Sequence, residues 1–220
     1  VDYNIWEHSA VVRDLYAERA RDRAPEMDAH AQAVEILAPN LLPDTSILDA
    51  GCGSGYLYHS FRTRNLAVEY HGLDSSPGLI ALGRRILPDF GLPPERLEAG
   101  LIENIRERYD VVVCLNTLSW LPDWRLPLDR LCAAARNLLL IRTNLGQVRQ
   151  IRWEIDGYLE AGYNHLRAYW NLYPEAEVRD FIAAEGFEVE LIPDRRTGSL
   201  METVVGKPYW WKFILARRKS

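Results

Sequence analysis

Short apolar runs alternate with longer amphipathic stretches along most of this chain. Ser46 to Asp49, Glu69 to Leu73, Arg96 to Ala99, Asp110 to Leu115, Asn137 to Arg142, Phe187 to Ile192 and Trp210 to Arg217 read as strands. Helical stretches follow the first five. The fourth crossover helix is predicted from near Trp124 to Ala135. The last long helix is predicted from Glu175 to Glu185, with Pro174 at its start and Gly186 as its stop. Such alternation predicts a mostly parallel sheet with crossover helices. Ahead of the first strand, Trp6 to Pro39 read as two helices. Val12, Leu15, Tyr16 and Arg19 share one face, Ala33, Val34, Ile36 and Leu37 another, and Pro25 marks the break.

One connection departs from this rhythm. About 30 residues, Asn144 to Pro174, separate the fifth strand from the last long helix, and a connection that long is often functional. It carries Trp153, Tyr158, Tyr163, His165, Tyr169, Trp170 and Tyr173. A short helical insertion above the strand ends is expected. Its aromatic residues serve either as its own core or as the wall of an acceptor pocket.

Composition narrows the class. With 220 residues, one α/β domain is expected. It divides into a helical lid (1–40), a core (41–143), the insertion (144–174) and a last helix with C-terminal strands (175–220). The net charge of −5 weighs against a nucleic-acid partner. Cys52, Cys114 and Cys132 form no C-x-x-C pair, so neither a metal site nor a disulfide framework is expected. Sparse cysteine, no apolar run of about 18 residues and no signal-peptide pattern predict a cytoplasmic protein without membrane association.

The chemistry centres on Ile47-Leu48-Asp49-Ala50-Gly51-Cys52-Gly53-Ser54-Gly55-Tyr56, a buried strand entering a glycine turn and then a helix. Glycines here permit positive φ and let a ligand approach the backbone, and the helix presents free N–H groups. The third glycine comes one residue too early for the dinucleotide fingerprint G-x-G-x-x-G, and Tyr56 stands where that pattern wants glycine or alanine. About 20 residues on, the strand Val68 to Asp74 ends in an acid whose two oxygens suit a ribose hydroxyl pair. The fourth strand ends in Leu115-Asn116, followed by Leu118-Ser119-Trp120-Leu121-Pro122-Asp123.

Together these segments resemble the motifs of the class I S-adenosylmethionine-dependent methyltransferases, over roughly residues 40 to 217. The resemblance implies a Rossmann-like, seven-stranded, mostly parallel sheet with helices on both faces. It implies S-adenosyl-L-methionine as cofactor, its methionine end lying over Gly51, Cys52, Gly53 and Gly55. Asp49 then binds the methionine amino group directly, or through water, or only orients the turn. Asp74, with Ser75, holds the ribose, and Leu79 meets the adenine face. Leu115 and Asn116 lie near the methionine end, unless Asn116 is only a strand cap. Relatives often place a polar residue where Leu101 stands, so the adenine relies on backbone near Leu101 and Ile102, or on Glu103.

The expected reaction is methyl transfer to oxygen, nitrogen or carbon of a small-molecule acceptor. His165 is the first candidate base, with Tyr163 and Tyr169 as positioning groups. Arg142, Arg149 and Arg152 are available for an acidic group, and Tyr3, Trp6 and His8 for a lid. A protein or RNA methyltransferase and a non-catalytic S-adenosylmethionine-binding module are the alternatives. The acceptor and the oligomeric state are not specified by these patterns.

Overall fold

In the computed structural model, residues 6, 8–155, 166–204 and 206–219 are described. The apolar run at Ile47 and Leu48 lies in β1 (Thr45–Ala50), whose last four residues are buried. β4 (Tyr109–Leu115) is buried from Val111 onward. Strands covered on both faces lose the polar alternation of a half-exposed strand, which is why both read as continuous apolar runs. β1 pairs in parallel with β2 (Val68–Asp74) on one side and β4 on the other.

The main path has seven strands. β3 (Leu97–Ala99) lies outside β2, and β5 (Ala135–Gly146) lies beside β4. Beyond β5 come β12 (Trp211–Arg218) and then β9 (Phe187–Pro193), β12 running antiparallel to both neighbours. The short β8 (Tyr173–Pro174) adds to the far end of β5. The order 3-2-1-4-5-12-9 places a topological switch between β1 and β4, above which a ligand crevice opens.

Two apolar layers sandwich the sheet. On one face α1 (Ala10–Ala20), α2 (Asp28–Leu37), α3 (Leu57–Arg62) and α4 (Pro77–Ile86) pack with Ala17, Val34, Phe61 and Ile80 at its core. On the other, α5 (Arg125–Ala134) and α6 (Glu175–Ala184) contribute Leu128, Leu131, Val178 and Ile182. α1 and α4 start at serine caps. Ser9 Oγ accepts from Val12 N at 3.1 Å and Ser76 Oγ from Leu79 N at 3.2 Å.

Two sequence expectations change. No α-helix follows β3. Only a single 3₁₀ turn, Ile102–Asn104, fits before β4 begins at Tyr109. The expected helical insertion after the fifth strand is also corrected. β5 continues to Gly146, and the described flanks of the insertion pair as antiparallel strands β6 (Trp153–Ile155) and β7 (Arg167–Tyr169). Trp153 and Tyr169 face each other across that pair with ring centroids 4.5 Å apart, a cross-strand aromatic contact that favours strands over helix. A second hairpin, β10 (Glu202–Val204) with β11 (Lys207–Tyr209), leads directly into β12.

Candidate active site

A cavity of about 660 Å³ opens above the carboxyl ends of β1, β2, β4 and β5. Its floor is the glycine turn. Gly51 (φ +84°) and Gly53 (φ +59°) adopt left-handed backbone, and both line the cavity. A Cβ on Gly51 would stand 2.0 Å from Thr117 Oγ1, and one on Gly53 would stand 2.3 Å from Tyr16 Cε1. The turn is thus clasped by β4's loop on one side and by α1 on the other. Gly55 is different. It is absent from the cavity lining, and its added Cβ would meet Leu97 and Leu87 in the core. Cys52 lines the cavity as a buried thiol that burial pushes well above its ordinary pKa.

Asp74 ties the floor to β2. Its Oδ2 accepts from Gly53 N and its Oδ1 from Ser76 N, both at 2.8 Å. A carboxylate has two acceptor oxygens, which suits the hydroxyl pair of a diol. Ser75, Leu79, Leu101 and Ile102 continue the wall beyond it, with Gly100 and Glu103. Asp49 is 4 % exposed and accepts a 2.6 Å hydrogen bond from the Tyr70 hydroxyl. Burial pushes its pKa up to about 7, against the Tyr70 hydrogen bond, with the nearby Asp74 adding to the rise. A buried carboxylate of this kind is satisfied by an arriving cation.

Leu115 and Asn116 close the methionine side expected from the sequence. Asn116 has a left-handed φ of +61°, and its N–H donates to Arg142 O at 2.7 Å. Arg142 Nη1 in turn donates to Asn116 Oδ1. Arg142 is 4 % exposed, lines the cavity and lies over the Trp211 ring, 4.4 Å from its centroid. Its Nε and Nη2 donate to Asp194 Oδ2 at 2.8 and 2.7 Å. The other two arginines offered for an acidic group do not line the cavity: Arg149 pairs with Glu177 and Arg152 donates to Gln150.

The described part of the insertion lies outside the cavity lining, with none of the described residues between 144 and 174 contributing to it. Tyr169 packs on Trp153 instead. Trp170 packs against Trp120, a lining residue, with centroids 4.3 Å apart. His165, Tyr163 and Tyr158 lie outside the described residues, as does Tyr3. Trp6 does line the cavity and meets Trp120 edge-on at 5.1 Å, whereas His8 is exposed and outside it.

Several lining residues escaped sequence reasoning. Tyr16, Arg19, His30 and Tyr56 form one contiguous patch. Arg19 Nη1 donates to the Tyr56 hydroxyl at 3.1 Å, and His30 stacks on the Tyr56 ring with centroids 4.6 Å apart. Tyr209, Trp211 and Arg196 complete the opposite rim. The shared helical face of Tyr16 and Arg19 was the one available sequence clue. Among the described residues no group of three or more His, Cys, Asp or Glu is arranged to hold a metal, and no helix is long and apolar enough to cross a membrane.

Residues 48–138 match the model of a methyltransferase domain. The chain is 30 % identical over 115 residues to malonyl-[acyl-carrier protein] O-methyltransferase of Anoxybacillus flavithermus, covering 50 % of this chain and 44 % of that one. It is 28 % identical over 157 residues to trans-aconitate 2-methyltransferase of Escherichia coli O1:K1, covering 66 % and 61 %. The chain thus spans about half the length of these relatives. Magnesium protoporphyrin IX methyltransferase from Synechocystis PCC 6803, solved with bound S-adenosylmethionine, shares the fold. Its TM-score is 0.63 at 16 % identity, over 99 % of this chain and 95 % of that one. Residues 48–138 are thus similar to a methyltransferase domain, and the chain shares the fold of a solved S-adenosylmethionine-bound methyltransferase.

Proposed function

We propose that the chain binds S-adenosyl-L-methionine in this cavity and transfers its methyl group to a nucleophile on a small-molecule acceptor. The observation that carries the reading is the Asp74–Gly53 link. One carboxylate at the end of β2 is held 2.8 Å from the glycine-turn N–H, in the same cavity as Asn116. A diol at Asp74 and an amino-acid head group near Asn116 then lie along one continuous floor.

The residues present fit the cofactor. Gly51 and Gly53 line the cavity with left-handed backbone, packed too closely on Thr117 and Tyr16 to admit a Cβ. Asp49 is a buried carboxylate suited to an ammonium group. Arg19, one helical turn beyond Tyr16, supplies a guanidinium for a carboxylate. When bound, the cofactor supplies an electrophilic methyl on a sulfonium. The chain's own tasks are alignment and exclusion of water. Tyr16 covers the turn from above, while Trp6, Trp120 and Trp211 present apolar faces to the remaining space.

A small acceptor is favoured because the cavity of about 660 Å³ must also take the cofactor, and one relative is a trans-aconitate 2-methyltransferase. Isothermal titration with S-adenosylmethionine, S-adenosylhomocysteine and nicotinamide dinucleotides tests the reading. Binding of the first two and not the third is expected. Dinucleotide binding with neither sulfur ligand bound would sink it.

A further inference from the structure

His30 sits in the cavity wall with no part in the cofactor reading. It is 7 % exposed, and among the described residues none hydrogen-bonds its ring nitrogens. A buried polar ring left open towards a cavity marks a place for a ligand's polar group. Three charged groups from three directions bear on it: Arg19 from α1, Arg142 from β5 and Glu26 from the segment before α2. Burial first, then the two arginines, push its pKa down to about 3, with Glu26 opposing. The imidazole is therefore unprotonated at any working pH.

The cations nearby are already matched. Arg142 is neutralised by buried Asp194, and Arg196 pairs with Glu202. Arg19 stands over the Tyr16 and Tyr56 rings beside the glycine turn, the place of the cofactor's carboxylate in the proposed reading. No guanidinium remains for an acceptor carboxylate, although both relatives named above act on acids. What remains is a neutral imidazole stacked on Tyr56, in the same cavity as Trp6, Trp120, Tyr209 and Trp211.

We infer that the acceptor is an uncharged hydroxyl compound of ring size, and that His30 receives the hydroxyl proton as the methyl is transferred. This rests on the cofactor reading above. The new bond joins the methyl carbon to the acceptor oxygen. The carbon–sulfur bond breaks with its electron pair going to sulfur, and the O–H proton passes to a ring nitrogen of His30. The cavity loses the sulfonium charge as it gains the imidazolium charge. A weakly basic imidazole suffices because the hydroxyl proton becomes strongly acidic as its oxygen gains the methyl group.

The test uses the full chain with ¹⁵N-labelled histidine, with and without S-adenosylhomocysteine. Phenol is the neutral probe and tricarballylate the carboxylate probe. Phenol should shift the His30 ring-nitrogen resonance, assigned by its absence in His30→Gln, and tricarballylate should not. That resonance should remain that of neutral imidazole between about pH 5 and 8. With phenols and glycosides as acceptors, His30→Gln should lower kcat about 100-fold or more, while S-adenosylhomocysteine affinity stays within about twofold. A silent His30 under phenol, stronger perturbation by tricarballylate, methylation of carboxylates alone, or an unchanged kcat in His30→Gln would each overturn the inference. Failure of S-adenosylhomocysteine to bind, seen by calorimetry, instead counts against the cofactor reading.

Discussion

The Tyr70 hydroxyl donates to Asp49 Oδ2 at 2.6 Å, inside a wall where both side chains are almost fully buried. This one bond opposes the burial that pushes the Asp49 pKa up to about 7. An ammonium group binds the ionised form, so S-adenosylmethionine affinity should rise as pH increases through about 7. Tyr70→Phe removes the opposing hydrogen bond and should move that inflection to higher pH. Titration calorimetry across pH measures both; an affinity flat from acid to alkaline pH would remove Asp49 from the site.

Asp49 and His30 should also leave opposite marks on stability. The folded pKa of Asp49 is raised above its unfolded value, so its contribution is lost as pH rises from about 4 to about 7. His30 is depressed to about 3, so its contribution is lost as pH falls from about 6.5 towards 3. Each is worth on the order of 4 kcal/mol at its limit. Between about pH 4 and 6.5 the two slopes cancel in part. Urea denaturation over that window should show stability rising with pH in Asp49→Asn and falling with pH in His30→Gln.

Asp74→Ala removes the acceptor that holds both Gly53 N and Ser76 N. Hydrogen bonds to a charged group contribute roughly 1.5–3 kcal/mol each, so cofactor affinity should drop at least about tenfold. Circular dichroism should show a folded protein. Unchanged affinity in that folded variant would refute the ribose assignment.

Gly53→Ala should lose cofactor binding for two reasons. The backbone is left-handed there, and the new methyl lands on the Tyr16 ring. The second reason is testable by itself. Tyr16→Ala should destabilise the wild-type protein, yet be neutral or stabilising in the Gly53→Ala background. A double-mutant cycle on thermal midpoints measures the coupling; strict additivity would show that α1 does not press on the turn.

Arg142 and Asp194 form an ion pair with side chains only 5 % and 2 % exposed. Asp194→Ala strands a buried guanidinium and should cost about 3–5 kcal/mol in urea denaturation. Arg142→Met added to it should recover part of that loss, since the uncompensated charge is gone. No recovery would mean that Asp194 acts through its turn, where Oδ1 accepts from Thr197 N and Oγ1.

The sheet was readable because β1 and β4 are buried on both faces and leave unbroken apolar runs. The glycine turn was readable because its backbone conformation admits few other residues. What the sequence hid depends on distance along the chain. Gly83 looks like a flaw in helix α4, yet its missing Cβ would lie 2.4 Å from Ser54 O, so its absence lets α4 rest on the turn. His30 looks like one more polar position in α2. It reaches the cavity because Gln32, on the same helix, donates to Pro193 O and accepts from Arg195 N, more than 160 positions later. No local pattern encodes that docking. The β6–β7 pair was misread as helix because three-residue strands carry too few alternations to be told from a helical turn.

β12 enters the sheet against the direction of its neighbours, so its first residue, Trp211, and not its last, stands at the ligand-bearing rim, beside Asn144 of β5. The cofactor bed is drawn from the chain between Asp49 and Asn116, the opposite wall largely from Arg196 to Trp211. Arg142 of β5 touches both, donating to Asn116 Oδ1 and lying over the Trp211 ring. Exchange of the 194–211 stretch between relatives would therefore retune which acceptor is taken while leaving the glycine turn intact. In the proposed reading, Arg142 is then the residue at which an altered wall would be felt by the methyl donor.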